Sequence, residues 1–320
     1  MSSVVVLGAG AWGTALAIQA ERAGCEVALW ARDPVRAAAI GATRENPRLP
    51  GVRLADAISV VTEPPGAADL VVLAMPTQHL RHVLADLPPI AAPLLACMKG
   101  VETGTLRLPL EVVAELRPGV PAAVLTGPNF AHEVAAGLPA AAVVAAAHAG
   151  LREHIAALLG TPAFRVYGND DPVGAELGGA AKNVMAIAAG AVMGAGLGEN
   201  ARAALITRGL AELSRLAAAL GGRAETMMGL SGLGDLLLTC TGQASRNYSF
   251  GLAVGRGQSP AAALAGCTGV IEGVTTAQAL VARAAGVELP ICAEVAALLD
   301  ERKTLQQAIA ALLSRPRKDE

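Results

Sequence analysis

Four lysines, at positions 99, 182, 303 and 318, stand among twenty-one arginines. Where Arg fills most cationic positions, a Lys in apolar surroundings marks a place where an amine that can lose its proton is wanted. Lys182 is such a residue. With Asn183 it interrupts the small, apolar stretch from Gly174 to Gly198. The bland alternative is a Lys that snorkels out of a buried helix. Lys99 closes an apolar run at Leu94–Met98, a position suited to holding an anion or polarising an oxygen, although a lone Lys there is equally suited to open solvent. Asp235 and Thr239 lie four apart and share one helix face, with N-capping the default role of Asp235. Ser245-Arg246-Asn247 precedes a helix and offers a planar guanidinium beside hydroxyl and amide donors, a set that suits a phosphate. Glu272 falls in the first turn of a helix. His79 and His82 have helical metal-ligand spacing, but no second pair accompanies them and no metal site is expected.

The elements that must position these residues change character along the chain. The first half alternates continuous apolar runs (4–7, 26–30, 58–61, 70–74, 94–98, 122–125, 141–145 and 164–167) with amphipathic stretches such as 14–23 and 34–42. Continuous apolar strands separated by helices imply a parallel sheet covered on both faces. From about Pro172 the pattern is helix after helix, over 174–193, 199–220, 233–240, 248–255, 259–265, 273–285 and 292–313. The expected fold is therefore an α/β Rossmann-type doubly wound parallel sheet, residues 1–172, followed by an all-α domain, residues 173–320. The tail 315–320 is expected to fray.

Gly8-x-Gly10-x-x-Gly13 sits between the first strand and the first helix. The first Gly permits the turn, the second lets a pyrophosphate approach the backbone, and the third lets helix and strand pack closely. The helix N-terminus adds amides and a favourable dipole. At the end of the second strand, Arg32 suits a ribose 2′-phosphate and predicts that NADPH is accepted, while Asp33 keeps NADH open. Strand ends are where open α/β sheets bind ligands. At the end of the strand 122–125 comes Thr126-Gly127-Pro128-Asn129-Phe130, ahead of a helix carrying Glu133.

Composition excludes several function classes. A net charge of −2 and a pI near 6.2 favour neither a nucleic-acid partner nor an anionic membrane. Mean hydropathy is +0.48, but the excess is largely Ala and Val, and Gly, Pro or His breaks the long uncharged runs, so no membrane span is expected. Five cysteines, an odd number without a C-x-x-C pair, read as buried hydrophobes in a reducing cytoplasm. The N-terminus carries no pattern of an export signal.

Together, GxGxWGTALA, Lys99-Gly100, GPNFAHE, AAKNV, NARAALITRGLAE, GLGDLLLTC and SRN resemble the bacterial NAD(P)-dependent sn-glycerol-3-phosphate dehydrogenases, in register from Val4 to the C-terminal tail. The resemblance implies hydride transfer between NAD(P)H and dihydroxyacetone phosphate, giving sn-glycerol 3-phosphate for glycerophospholipid synthesis. It implies that Lys182 is the general acid/base, with Lys99 and Asp235 orienting and charge-balancing it. The substrate hydroxyl and phosphate would be held by Asn183, Thr239, Ser245, Arg246, Asn247 and the Gly127 turn. Asn129 stands where the family commonly has Ser or Thr. The dinucleotide would be lined by Gly8, Gly10, Ala11, Trp12, Gly13, Arg32, Lys99, Ala131, Arg246, Val270 and Glu272. After Glu272 the sequence reads Gly-Val-Thr-Thr, where some members carry Arg and Asn. Two competitors are a β-hydroxyacid dehydrogenase, which would select a carboxylate, and a nucleotide-sensing regulator without turnover. The apolar helices of the second half lead to the expectation of a homodimer.

Overall fold

A computed structural model describes residues 1–64, 66–267, 269–284 and 286–316. Two compact units emerge, one of Met1–Lys99 with Arg107–Glu176, the other of Gly100–Leu106 with Leu177–Glu320. In the first unit, β1 (Ser3–Leu7), α1 (Ala11–Arg22), β2 (Glu26–Trp30), α2 (Pro34–Thr43), β3 (Ile58–Val61) and β4 (Leu70–Leu73) come first. There follow α3 (Thr77–Asp86), β5 (Leu94–Ala96), α4 (Pro109–Leu116), β6 (Ala122–Thr126), α5 (Ala131–Ala136), β7 (Ala140–Ala145), α6 (Ala149–Leu159) and β8 (Phe164–Asn169). The sheet order is β3-β2-β1-β4-β5-β6-β7-β8.

The continuous apolar strands arise because both sheet faces are covered. Along β1, Val4 and Val6 pack with Leu16 of α1, Ile40 of α2 and Ile155 of α6. The alternate residues Val5 and Leu7 pack with Leu80 of α3 and Val112 of α4 on the other face. A period-2 pleat with two apolar faces leaves no polar alternation to read.

The all-parallel expectation fails at one place, since β6 and β7 pair antiparallel. A parallel crossover must carry the chain back along the strand. The six residues of α5 span only about 9 Å, against about 17–20 Å for a strand of typical length, so the chain reverses instead.

Among the described residues, the second unit holds no strand. Its helices are α7 (Pro172–Gly194, which starts in the first unit's range), α8 (Gly198–Ala219), α9 (Asp235–Cys240), α10 (Arg246–Gly255), α11 (Pro260–Ala265), α12 (Glu272–Arg283), α13 (Pro290–Leu299) and α14 (Leu305–Leu313). The single helix expected over 292–313 is in fact two. Glu301 takes a left-handed φ of 56°, and Thr304 opens α14 with a capping box to Gln307, so a Thr-x-x-Gln signal inside a charged stretch ends one helix and starts the next. Helix α1 begins at Ala11, earlier than the expected Thr14, because the Gly-rich turn runs directly into it. Ala285, expected to end a helix, and residues 317–320 of the tail lie outside the described residues.

Among the described residues, one helix, Pro172–Gly194, is long and apolar enough to cross a membrane by length and composition, and 83% of its most apolar window is buried inside the protein. It is the core helix of the second unit.

Candidate active site

The dinucleotide turn of the first unit is built by steric necessity. Gly8 has φ +119°, and a Cβ there would lie 2.7 Å from the Ala74 carbonyl oxygen. A Cβ on Gly13 would lie 1.9 Å from the carbonyl oxygen of Gly8. Neither position admits a side chain. Gly10 differs, because a Cβ there would meet nothing within 4 Å. It is the N-cap of α1 without a side-chain cap, so the helix's first amides face an open side. That combination fits a pyrophosphate. Ala11 and Trp12 follow in the first turn, half-buried, and Arg32 is exposed just beyond the end of β2.

Sequence reasoning missed one residue that holds this turn from outside it. The amide of Asn46, 1% exposed, donates to the Ala9 carbonyl at 3.2 Å and to the Thr14 hydroxyl at 2.7 Å. A polar residue in the irregular segment between α2 and β3 carries no periodic or motif signal, so only its contacts reveal it.

At the ends of β5 and β6, Lys99 donates to the Gly127 carbonyl at 3.4 Å. Gly127 has φ +120°, and its Cβ position lies 3.2 Å from the Ala141 carbonyl oxygen, so a glycine is required as the chain passes β7. Asn129 donates from its amide to the Ala141 carbonyl at 3.0 Å, while its own Oδ1 is buried without a hydrogen-bond partner. Ala131 is the first residue of α5, whose N-cap Phe130 offers no side-chain cap.

The second unit gathers most of the remaining residues. Lys182, 8% exposed, reaches from α7 to a fully buried Asp235, with which it forms an ion pair. Its Nζ also donates to the Thr239 hydroxyl at 2.8 Å, and that hydroxyl donates to the Asp235 carbonyl at 2.6 Å. Of the two roles the sequence left to Asp235, helix capping and charge balance for the lysine, the geometry has the second: Gly234 is the N-cap of α9, and the Asp235 carboxylate turns to Lys182. A buried carboxylate beside a buried ammonium is more stabilised by that charge than by a cap, which bulk water could replace. Cys240, on the same helix, has its thiol pushed up to about 12 by burial and stays protonated packing material.

A second cluster joins α7, α10 and α12. Asn247 donates to Asn183 Oδ1 at 3.0 Å, Asn183 donates to Glu272 Oε2 at 3.3 Å, and the Gly273 amide donates to Asn247 Oδ1 at 2.9 Å. Glu272 is the first residue of α12, as its sequence position suggests. Arg246 is exposed, with its Nη1 2.7 Å from where a Cβ on Gly269 would stand. Ser245 and Val270 do not join this network. Ser245 Oγ caps α10 by accepting from the Tyr248 amide at 3.3 Å, and Val270 is exposed in the segment before α12. His79 and His82 belong to no metal-binding group among the described residues.

With this geometry in hand, comparison with known proteins is specific. Residues 3–151 match the profile of the NAD-dependent glycerol-3-phosphate dehydrogenase N-terminus, and 171–310 that of its C-terminus. A glycerol-3-phosphate dehydrogenase [NAD(P)+] of Acidiphilium cryptum is 57% identical, over 98% of this chain and 97% of that protein. One from Gluconobacter oxydans is 50% identical over 98% and 97%. A crystal structure of glycerol-3-phosphate dehydrogenase from Coxiella burnetii superposes with a TM-score of 0.93 at 38% identity, covering 98% of this chain and 99% of that one. D-mandelate dehydrogenase shares only the fold, at 15% identity and a TM-score of 0.61. Those matches run through both units and displace the hydroxyacid and sensor readings. This chain belongs to the NAD(P)-dependent glycerol-3-phosphate dehydrogenase family.

Proposed function

We propose that this chain interconverts dihydroxyacetone phosphate and sn-glycerol 3-phosphate with NAD(P)H, and that Lys182 is its general acid/base. The reading is supported chiefly by one observation, the buried Lys182 ammonium held between Asp235 and Thr239. When bound, the dinucleotide supplies a hydride from C4 of its nicotinamide. As the ketone carbon accepts it, the carbonyl π pair moves to oxygen, and the Lys182 ammonium stabilises the developing alkoxide and gives it a proton. Asp235 keeps the amine charged until then, and Thr239 fixes its direction. In the reverse reaction the neutral amine takes the hydroxyl proton.

The Gly8–Gly13 turn and the α1 N-terminus hold the pyrophosphate, with Ala11, Trp12, Arg32, Ala131, Val270 and Glu272 lining the rest. Arg246, Asn247 and the N-terminus of α10 hold the substrate phosphate, whose binding energy orients the reacting carbon. Lys99, the Gly127 turn, Asn183 and Ser245 complete the substrate contacts, and the unpartnered Asn129 Oδ1 offers an acceptor to a substrate hydroxyl. A cytoplasmic homodimer belongs to the same reading. Exposed Met228, Leu237 and Leu313 on the second unit support the dimer, and light scattering of the purified chain tests it.

The deciding experiment is nicotinamide absorbance with dihydroxyacetone phosphate, for the wild type, Lys182→Ala and Lys182→Arg. Both variants are expected to lose at least 10²-fold in kcat, as removal of a positioned proton donor does. Arg cannot rescue, because it does not give up its proton at working pH. Turnover at near wild-type rate in either variant ends the assignment.

A further inference from the structure

The glycine-rich segment before Asp235 is a second constraint on the lysine cluster. The Gly234 amide donates to the Gly229 carbonyl at 3.1 Å, and the Asp235 amide donates to the Leu230 carbonyl, each five residues back in the chain. Residues Leu230–Gly234 therefore form a π turn that runs directly into α9. Its hydrogen bonds enclose one more residue than those of an α-helix, which rotates whatever follows, and single π turns recur at functional sites. A Cβ on Gly232 would run into the Met227 carbonyl oxygen, so the turn is closed tightly against the segment before it.

The same turn is pressed against α7. A Cβ on Gly178 would lie 2.5 Å from the Ser231 carbonyl oxygen and 3.2 Å from its carbon. Both are backbone atoms, which cannot swing aside as the end of a side chain can. Ser231 is 1% exposed and its Oγ has no hydrogen-bond partner, so no side-chain bond from Ser231 holds the contact. Gly178 and Lys182 lie four apart on α7 and share one face. Ser231 and Asp235 are likewise four apart. The contact of Gly178 with Ser231 and the ion pair of Lys182 with Asp235 are thus two successive rungs between the same two elements. The first rung sets how close the second can come.

Resting on the proposed role of Lys182, we propose that Gly178 and the π turn form a spacer that fixes the Asp235 carboxylate against the Lys182 ammonium, which makes Gly178 a positioning residue for proton transfer. Ordinary contact starts near 3.4 Å, so a methyl group at position 178 pushes the turn, and Asp235 with it, back by about 0.9 Å. Misplacement by about 1 Å can cost on the order of 10²-fold in rate. The Cys240 thiol also lies within electrostatic reach of Lys182, Asp235 and Arg202 of α8, but burial pushes it up to about 12 and it stays neutral. Glu272 of α12 is bonded to the neighbouring Asn183. Retreat of Asp235 then loosens the amine's hold on its proton.

Steady-state kinetics of the full chain with dihydroxyacetone phosphate test this. Gly178→Ala is expected to lower kcat by about tenfold or more and to leave KM for the dinucleotide within about twofold. The alkaline limb of its kcat profile should move to lower pH by about half a unit or more. Asp235→Glu keeps the charge but adds a methylene that the spacing does not admit, and should also lose about tenfold or more. In the double variant the longer acid crosses the widened gap. Its loss should be about threefold or more smaller than the product of the two single losses, whereas independent damage to the fold would multiply. An unmoved alkaline limb, losses that multiply, or wild-type kcat in Asp235→Glu overturns the spacer, and the last of these decides even if Gly178→Ala does not fold. If Lys182→Ala retains turnover, the acid/base reading falls and the spacer's role with it. If Lys182→Ala is inactive while Gly178→Ala behaves as wild type, that reading stands and only the spacer falls.

Discussion

Two buried acids on the second unit show how much a single carboxyl depends on its partner. Asp235 has a buried cation opposite it. Asp235→Asn removes the carboxylate charge paired with Lys182 and is expected to destabilise by about 3–5 kcal/mol, as breaking one side of a buried pair does. In whatever folds, the amine loses its proton more easily, so the alkaline limb of the kcat profile should move to lower pH. Denaturant unfolding and a pH–rate series check both parts. Glu212 of α8 lacks such a partner. It accepts from the Ile291 amide at 2.8 Å and the Cys292 amide at 3.4 Å, closing the N-terminus of α13. Burial nevertheless pushes its carboxyl up to about 7, outweighing those amides, Arg215 and Arg315. A raised folded-state value stabilises the fold at pH below the ordinary value of 4.5, and that stability is lost as pH rises through about 7. At about 1.4 kcal/mol per unit, the loss is about 3 kcal/mol. Glu212→Gln keeps an acceptor for Ile291 and cannot ionise. Unfolding free energies at pH 4.5 and 8 should therefore show the wild type falling relative to the variant; parallel values would show that Glu212 does not titrate as described.

Among the helices, the spacing of α7 and α10 sets the geometry around Lys182. Glycines at 190 and 194 on α7 face glycines at 251 and 255 on α10, bringing backbone against backbone. A Cβ on Gly251 would lie 2.0 Å from the Ile187 carbonyl oxygen. Replacing an ordinary helix glycine by Ala stabilises by up to about 1 kcal/mol. Gly41→Ala in α2, where a Cβ would meet nothing within 4 Å, should behave that way. Gly251→Ala should instead destabilise by about 1–3 kcal/mol or more through overpacking. It should also lower kcat, because separating the helices stretches the Asn247–Asn183 bond. Thermal unfolding of both variants reads the difference in sign.

For the molecule as a whole, the nucleotide turn and the lysine cluster lie in different compact units, the first with its own two-sided core. Chemistry and nucleotide binding should then separate under mutation. Lys182→Ala is expected to bind ADP-ribose with wild-type affinity, within about twofold, since that probe carries neither the nicotinamide nor a ketone for the lysine to act on. A loss of nucleotide affinity matching the loss of turnover would show that the lysine acts on the fold of the nucleotide site and not on the ketone.

The amino-acid sequence by itself determined the α/β half, the helical half and the Gly8–Gly13 turn, and it singled out Lys182 as the candidate amine. Each of these rests on a local signal: continuous apolar runs, a glycine spacing, and an amine where arginine is otherwise used. The tertiary structure alone decided that β7 runs antiparallel, because reversal follows from the length a short helix can span. It decided too between the cap and the counter-ion that the sequence left open for Asp235, and it showed that Asn183, Asn247 and Glu272 form one chain of hydrogen bonds and that Asn46 grips the dinucleotide turn. Those partners are separated in sequence by thirty-two residues for Asn46 and Thr14 and by fifty-three for Lys182 and Asp235. Short-range periodicity carries no information about such pairs; burial does, because a polar group removed from water must find its partner wherever the fold brings one.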